Sequence, residues 1–219
     1  MEYPMSRLAA AVLVAALVTT ARAQEPAALA PAPPTSLTSG SDGGWSVLGR
    51  VGVYIPVMGD FNVYRPGLAV EAGLGRRFGP VLSLELSGFY TKTDTGIPVV
   101  ATVDTGTGIA TQSTLEMAGL LATLRATWAT GPVELQAGAG LGYYWIQQWE
   151  TVEGAFFGGG YLSHDHPVGA HGCAGVNVRV TPALHLSAEL RYTWVEPLLF
   201  GQHQRADGIG LGAGIGFRF

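Results

Sequence analysis

Apolar and polar residues alternate along most of the chain with a period of two, which is typical of β-strands. Leu82, Leu84 and Leu86, for example, share one face of a strand, while Ser83 and Glu85 lie on the other. The alternation predicts eight strands, over residues 45–54, 67–78, 81–92, 114–129, 133–149, 166–180, 184–195 and 207–219.

The connections between these strands alternate between short and long. The short ones, at 79–80, 130–132 and 181–183, each carry a proline at or near the start of the next strand, where no ladder donor is lost. The long ones cover 55–66, 93–113, 150–165 and 196–206. This pattern is typical of bacterial outer-membrane barrels. We therefore predict an all-β fold: an eight-stranded antiparallel up-and-down transmembrane β-barrel with short periplasmic turns and long extracellular loops.

A soluble up-and-down barrel of the lipocalin or streptavidin kind is the main alternative, and it would place the apolar face inside. Composition argues against it. Charged residues make up 13% of the 219 residues, hydrophobic residues make up 47%, and Lys92 is the single lysine. A soluble domain carries roughly 25–35% charged residues on its surface. The face opposite the apolar one, which we call the second face, is rich in glycine and is therefore a poor match to a solvated surface.

Charged and aromatic residues add to the membrane interpretation. Aromatic residues gather at the strand ends, as membrane interfaces favour. Those near the long loops are Phe89, Tyr90, Tyr143, Trp145, Tyr192 and Trp194, and those near the short turns are Trp45, Phe78, Trp128, Phe217 and Phe219. Both signs of charge occur on the second face, as an enclosed space requires, because an unpaired buried charge costs several kcal/mol. The predicted lumen charge network consists of Arg50, Glu71, Glu85, Arg125, Glu134, Arg179, Glu189, Arg191 and Arg218.

The N-terminal residues resemble an export signal followed by a linker. Arg7 precedes an apolar run over 8–18, and residues 21–23 have the small-x-small arrangement that signal peptidase prefers. The run is too short to span a bilayer. We predict a cleaved signal peptide at 1–23, a disordered linker rich in Pro, Ala, Ser and Gly at 24–44, and the barrel domain at 45–219.

The last strand has glycine at every second position and ends on an aromatic residue. Its alternation places Leu211, Ile215, Phe217 and Phe219 against lipid and the glycines inward, where they make room for arginines of adjacent strands. We interpret it as the strand that closes the barrel and removes the free edges that hydrocarbon does not tolerate.

With this ending, residues 45–219 resemble the small outer-membrane barrels of the OmpA/OmpX type. The resemblance implies location in a bacterial outer membrane, a monomer, and contact with outer-membrane lipid and lipopolysaccharide. It also implies that Leu211, Ile215, Phe217 and Phe219 form the signal read by the outer-membrane assembly machinery. The chain departs from full-length OmpA proteins because no periplasmic domain follows the barrel, so a peptidoglycan-anchoring role is not expected.

One small group on the predicted seventh strand contains residue types used in acyl transfer. His185 and Ser187 lie two apart and hence on one face, with Glu189 next in line, and a base beside a hydroxyl suits a nucleophilic mechanism. Outer-membrane lipid A deacylases have a similar His-x-Ser on a strand. Polar filling of the lumen is the simpler interpretation, and we expect no enzyme activity.

A second group, His164, Asp165 and His166, contains ligands that zinc or copper accepts. Adjacent residues rarely converge on one ion, so a solvated loop tip is the simpler interpretation, and no metal or cofactor is expected.

Three functional hypotheses remain, and nucleic-acid binding is not among them, because the net charge is −4 and no basic cluster is present. The first is a non-enzymatic barrel with a structural or adhesive role through its long, predominantly acidic loops. The second is a narrow pore or small-ligand conduit, and the third is a lipid-modifying barrel enzyme of the acyl hydrolase class. The predicted third and fourth strands, extended through 93–113, are also expected to continue above the membrane as a hairpin.

Overall fold

The computed structural model describes residues 44–57, 64–96, 99–102, 108–154 and 157–219. The predicted signal peptide and the linker up to residue 43 lie outside these residues, as do Asp60 and Asp104 of the acidic loops. Within the described ranges the secondary structure consists of twelve strands: β1 (Trp45–Pro56), β2 (Gly67–Phe78), β3 (Leu82–Asp94), β4 (Val99–Thr102), β5 (Gly108–Thr130), β6 (Val133–Gly154), β7 (Phe157–Asp165), β8 (Val168–Arg179), β9 (Leu184–Trp194), β10 (Leu198–Leu199), β11 (Gln202–His203) and β12 (Gly208–Arg218). No helix in these ranges is long and apolar enough to cross a membrane.

Eight of these strands form a closed antiparallel barrel, which confirms the predicted fold. Their order around the barrel is β1, β2, β3, β5, β6, β8, β9 and β12, and β12 pairs again with β1. At the seam, the amide nitrogens of Trp45 and Phe219 each donate a 2.9 Å hydrogen bond to the other residue's carbonyl oxygen. The closing role predicted for the last strand is therefore confirmed.

The turns at one end of the barrel are as short as predicted. Gly79 and Gly131 have φ angles of 76° and 62°, in the left-handed region where glycine carries no steric cost. Pro80 and Pro132 follow them, and the next strands begin at Leu82 and Val133. We refer to this end as the turn end and to the other as the loop end.

Apolar and charged residues are divided between the two faces of the barrel wall as a membrane requires. Leu84, Leu141 and Ile215 lie outside with exposed fractions of 37%, 63% and 50%, whereas Glu85 and Arg125 lie inside at 5% and 2%. A soluble barrel would have the opposite arrangement, because water would solvate the charges and the centre would be apolar. Leu211, Phe217 and Phe219 of the last strand also point outward.

Exposed aromatic residues form a band at each end of the outer wall. The band at the loop end contains Tyr90, Tyr143, Trp145 and Trp194, and the band at the turn end contains Trp45, Phe78, Trp128, Phe217 and Phe219. Phe89 was predicted to belong to the loop-end band, and this prediction is wrong. It alternates with Tyr90, so its ring points inward and packs edge-on against Tyr144 at 5.7 Å. Arg76 joins the turn-end band on the outer wall, where its guanidinium lies 5.2 Å from the ring centre of Trp45.

Part of the sheet extends beyond the loop-end band, and it contains the predicted hairpin together with strands that were not predicted to project. β5 and β6 have 23 and 22 residues, about twice the 9–11 that a membrane strand needs. β4 pairs with the start of β5, and β7 pairs with the end of β6. The β4–β5 pair lies within 93–113 and continues the β3–β5 ladder beyond Asp94 and Thr114, so the predicted hairpin is present. The extension of β6 and its pairing with β7 were not predicted. We call β4, β7 and the adjoining parts of β5 and β6 the projecting sheet.

The predicted sixth strand, 166–180, also begins differently. Pro167 separates β7 from β8, since proline has no amide hydrogen for the ladder and restricts the residue before it. Its carbonyl oxygen still accepts a 2.9 Å hydrogen bond from the Tyr144 amide. The segment predicted as a loop at 150–165 is therefore mostly strand, and it belongs to the projecting sheet.

An apolar cluster fills the loop end of the lumen. Its members come from barrel strands and from the connecting segments, and all are buried: Tyr54, Tyr64, Leu115, Met117, Leu121, Tyr144, Ile146, Val195, Leu199 and Ala206. The hydroxyl of Tyr54 donates a 2.9 Å hydrogen bond to the carbonyl oxygen of Ala206, which fixes the segment before β12 over the lumen. We call this cluster the apolar cap.

Candidate functional site

Six of the nine predicted lumen charges meet in one cluster at the middle of the barrel. We call this the central cluster, and its members are Arg50, Glu71, Glu85, Arg125, Glu189 and Arg191. They come from β1, β2, β3, β5 and β9. Because side chains alternate along a strand, each of these positions faces the lumen.

The central cluster is a continuous network of ion pairs. Arg125 lies 2.7 Å from Glu85 and 2.5 Å from Glu189. Arg50 lies between 3.1 and 3.2 Å from Glu71, Glu85 and Glu189. Arg191 completes the network at 2.8 Å from Glu71 and 2.7 Å from Glu189.

The network is balanced in charge and closed to solvent. Three guanidinium groups face three carboxylates, and every side chain in the cluster is at least nine-tenths buried. Ser87 adds a 2.6 Å hydrogen bond to Glu71. Charges removed from water are tolerated only when they are paired and hydrogen-bonded. Loss of one member would therefore leave its partners as buried, unpaired charges.

The other three predicted lumen charges form a separate group at the turn end, together with Arg77, which the sequence analysis missed. This turn-end cluster contains Glu134, Arg77, Arg179 and Arg218. Glu134 accepts hydrogen bonds from Arg179 at 2.9 Å and from the Nη1 of Arg218 at 2.8 Å, and Arg77 lies 3.4 Å away. The alternation that places Glu71 inward places Arg77 inward as well, so the signal was present in the sequence.

Inward glycines make room for these large side chains, as expected from the glycine file of the last strand. A Cβ atom on Gly214 would lie 2.8 Å from the Cγ of Arg50, and one on Gly138 would lie 3.0 Å from the Cγ of Arg125. The alternating glycines of the last strand also make room for a histidine, since a Cβ on Gly216 would overlap the ring of His185.

The structure does not assemble His185, Ser187 and Glu189 into a catalytic group. Within the described residues, the Oγ of Ser187 and the Nδ1 of His185 have no hydrogen-bond partner, so no base is in contact with the hydroxyl. Glu189 accepts hydrogen bonds from Arg125 and Arg191 instead of orienting the imidazole. The contacts needed for a serine nucleophile are thus not formed in the structure.

His164, Asp165 and His166 do not converge either. His164 in β7 and His166, the residue after β7, point to the same side, and their ring centroids are 5.9 Å apart. Asp165 points to the opposite face, where it accepts a 2.6 Å hydrogen bond from the Leu198 amide. That hydrogen bond lowers the pKa of Asp165 below the ordinary aspartate value. In the part of the chain that the structure describes, no group of three or more potential ligands is placed to hold a metal ion.

A small cavity lies between the central cluster and the apolar cap. This cavity of about 60 Å³ has Arg50, Glu71 and Arg191 in its wall, together with Tyr54 and Phe89 from the cap side. This volume suits a few ordered water molecules bound to polar groups. Along the described lumen, the apolar cap and the charge clusters therefore occupy the path that a solute would follow.

Comparisons with solved structures agree on the fold. Neisserial surface protein A matches with 18% identity and a TM-score of 0.50, covering 82% of this chain and 98% of that one. The outer membrane protein OprG from Pseudomonas aeruginosa matches with 9% identity and a TM-score of 0.58, covering 81% and 96%. This chain has the small outer-membrane β-barrel fold. A major outer membrane protein from Thermus thermophilus shares that fold, with 11% identity, a TM-score of 0.51 and coverage of 82% and 100%.

Sequence comparisons add no closer relative. No family model matches the chain, and no curated protein matches it significantly. At identities this low, the small outer-membrane barrel fold is what the structural matches share with this chain, and function has to be argued from its own residues.

Proposed function

We propose that the protein is a non-enzymatic barrel of a bacterial outer membrane, exported by a cleaved signal peptide, with its turns in the periplasm and its loops outside the cell. The apolar outer wall between two aromatic bands supports a membrane location. The closed ladder supports it as well, since it leaves no edge strand in the barrel. In this setting, outer-membrane lipid and lipopolysaccharide contact the wall, and the barrel functions as a monomer.

The location is tested by cell fractionation combined with gel mobility. We expect the protein in the outer-membrane fraction, beginning at Gln24, and migrating faster when the sample is not boiled, because a closed barrel resists detergent at low temperature. N-terminal sequencing of the purified protein checks the cleavage site. Recovery with the inner membrane, or as a soluble periplasmic protein, would contradict the proposal.

The role itself, structural or adhesive, is proposed to lie at the loop end. The observation that carries it is the projecting sheet, which continues the barrel wall beyond the aromatic band. Nine residues of β6, 146–154, follow Trp145 of the band and span about 30 Å along the strand at the usual rise per residue. Trp149 and Leu162 face each other across β6 and β7, and both are exposed. Large exposed apolar side chains outside the membrane band are typical of interaction surfaces.

The narrow pore remains the second hypothesis, and the filled lumen is the observation against it. The central cluster joins opposite sides of the barrel through ion pairs, and the apolar cap covers it at the loop end. Eight strands enclose just enough space for side chains. The lipid-modifying enzyme is the third hypothesis, and the unassembled His185 and Ser187 give it no support.

One experiment separates the adhesive role from conduction. Cells producing the protein are expected to adhere to cultured cells more than cells with an empty vector, and W149S/L162S is expected to abolish the gain. The matched control is Q147S, on the same outer face of β6. In planar bilayers, the purified protein is expected to show no conductance steps. Steps that change in E85Q or R125M, with adherence unaffected by W149S/L162S, would favour the pore.

A further inference from the structure

The two charge clusters of the lumen differ in net charge. The central cluster is neutral, with three arginines and three glutamates. The turn-end cluster has Arg77, Arg179 and Arg218 around the single carboxylate of Glu134. Two positive charges therefore remain uncompensated within this cluster. We propose that the turn-end cluster is a binding site for a phosphate-type oxyanion that enters from the turn end.

The guanidinium groups have donors to spare for such a ligand. Glu134 accepts four hydrogen bonds from the three arginines, whereas each guanidinium carries five N–H donors. The side chains of Arg77, Arg179 and Arg218 are 26%, 42% and 25% exposed, while Glu134 is 1% exposed. An anion arriving at the turn end thus meets guanidinium groups first, with the carboxylate behind them.

A buried imidazole next to the cluster is a second, independent observation. His185 is 7% exposed, and its Nδ1 has no hydrogen-bond partner among the described residues. It pairs with Arg179 across β8 and β9, and with Gly216, two residues before Arg218, across β9 and β12. An unsatisfied buried polar atom is costly. A ligand oxygen or hydroxyl held by these arginines provides the missing partner.

The chemistry of the site favours an oxyanion over a simple halide. Guanidinium groups bind phosphate through two parallel hydrogen bonds, which adds geometric specificity to the attraction of charge. Three of them, coming from β2, β8 and β12, contact the same carboxylate, that of Glu134. The same phosphate chemistry is offered by free phosphate and by an anionic lipid headgroup at the turn-end surface, and the experiment distinguishes the two.

The test uses the full mature protein, folded in a zwitterionic detergent, with NMR signals of the arginine Nε–Hε groups as the readout. Inorganic phosphate at pH 8 is titrated against chloride at equal ionic strength. We expect phosphate to shift the signals of Arg77, Arg179 and Arg218 and to leave that of Arg76 on the outer wall unchanged. R179Q is expected to weaken phosphate binding by about threefold to tenfold, since it removes one partly exposed charged donor. The matched control, R76Q, is expected to bind like the wild type.

The source of the phosphate group is identified by a second set of samples without added phosphate. In nanodiscs of phosphatidylglycerol, a shift of the same three signals relative to phosphatidylcholine nanodiscs indicates a lipid headgroup. A shift only after phosphate is added indicates a soluble ligand. Equal shifts with phosphate and chloride would overturn the site, as would equal affinities of R179Q and R76Q. If R179Q does not fold, the comparison of phosphate with chloride on the wild-type protein still tests the site. None of these results depends on the adhesive role.

Discussion

Replacing Arg125 with methionine is expected to lower the free energy of unfolding by about 3–5 kcal/mol, the usual cost of breaking a buried ion pair. Arg125 is in contact with both Glu85 and Glu189, and the change leaves two carboxylates without one of their guanidinium partners. Methionine fills much of the space of the arginine stem, so the loss reports charge more than packing. The measurement is urea unfolding in lipid vesicles, followed by tryptophan fluorescence.

The control for this prediction is K92M. Lys92 lies 2.6 Å from Glu116, but the lysine is mostly exposed, and exposed pairs contribute little. We expect K92M to leave the unfolding midpoint nearly unchanged. The double variant R125M/E189Q is expected to be more stable than R125M, because it restores equal numbers of positive and negative groups. If E189Q lowers the stability of R125M further, charge balance is not what holds the central cluster.

Replacing Gly52 with alanine is expected to impair closure of the barrel. A Cβ atom on Gly52 would overlap the carbonyl oxygen of Leu211 and lie 2.6 Å from the Cα of Gly212. Both atoms belong to the backbone of β12, so relief requires the β1–β12 pair to separate. Overpacking of this kind costs about 1–3 kcal/mol. Gel mobility without boiling is expected to show a smaller fraction of the fast-migrating form.

Gly49 supplies the matched control for G52A. It lies three residues earlier on β1, and a Cβ atom there would have no atom within 4 Å. G49A is therefore expected to fold like the wild type, although both variants add the same methyl group. Equal folded fractions for the two variants would show that the seam yields to the added atom.

The structure joins the fold to the proposed role through the filled lumen. Ion pairs between β1, β3, β5 and β9 connect strands that are distant in sequence, and the apolar cap covers them. With the lumen occupied in this way and the wall facing lipid, the two ends are the surfaces left for contact with soluble molecules or other cells. The projecting sheet lies at one end and the turn-end cluster at the other.

Much of the architecture was predictable from sequence because it depends on local rules. The period of two identifies strands and assigns each residue to a face, and Gly79, Pro80, Gly131 and Pro132 mark the turns. The scarcity of charge then decides which face meets lipid. For the same reason, the alternation was sufficient to identify the nine charged lumen positions, and Arg77 was identifiable by the same rule.

Which of these residues meet was decided only by the closed barrel. Arg125 and Glu189 are 64 positions apart, and their contact depends on how strand tilt and stagger bring inward residues to one level. Alternation within a strand carries no such information. The division into a neutral central cluster and a positively charged turn-end cluster follows from that stagger. The extension of β6 and its pairing with β7 also became clear only from the structure. Sequence alone determined the faces of the wall, and tertiary structure determined the contacts across the lumen.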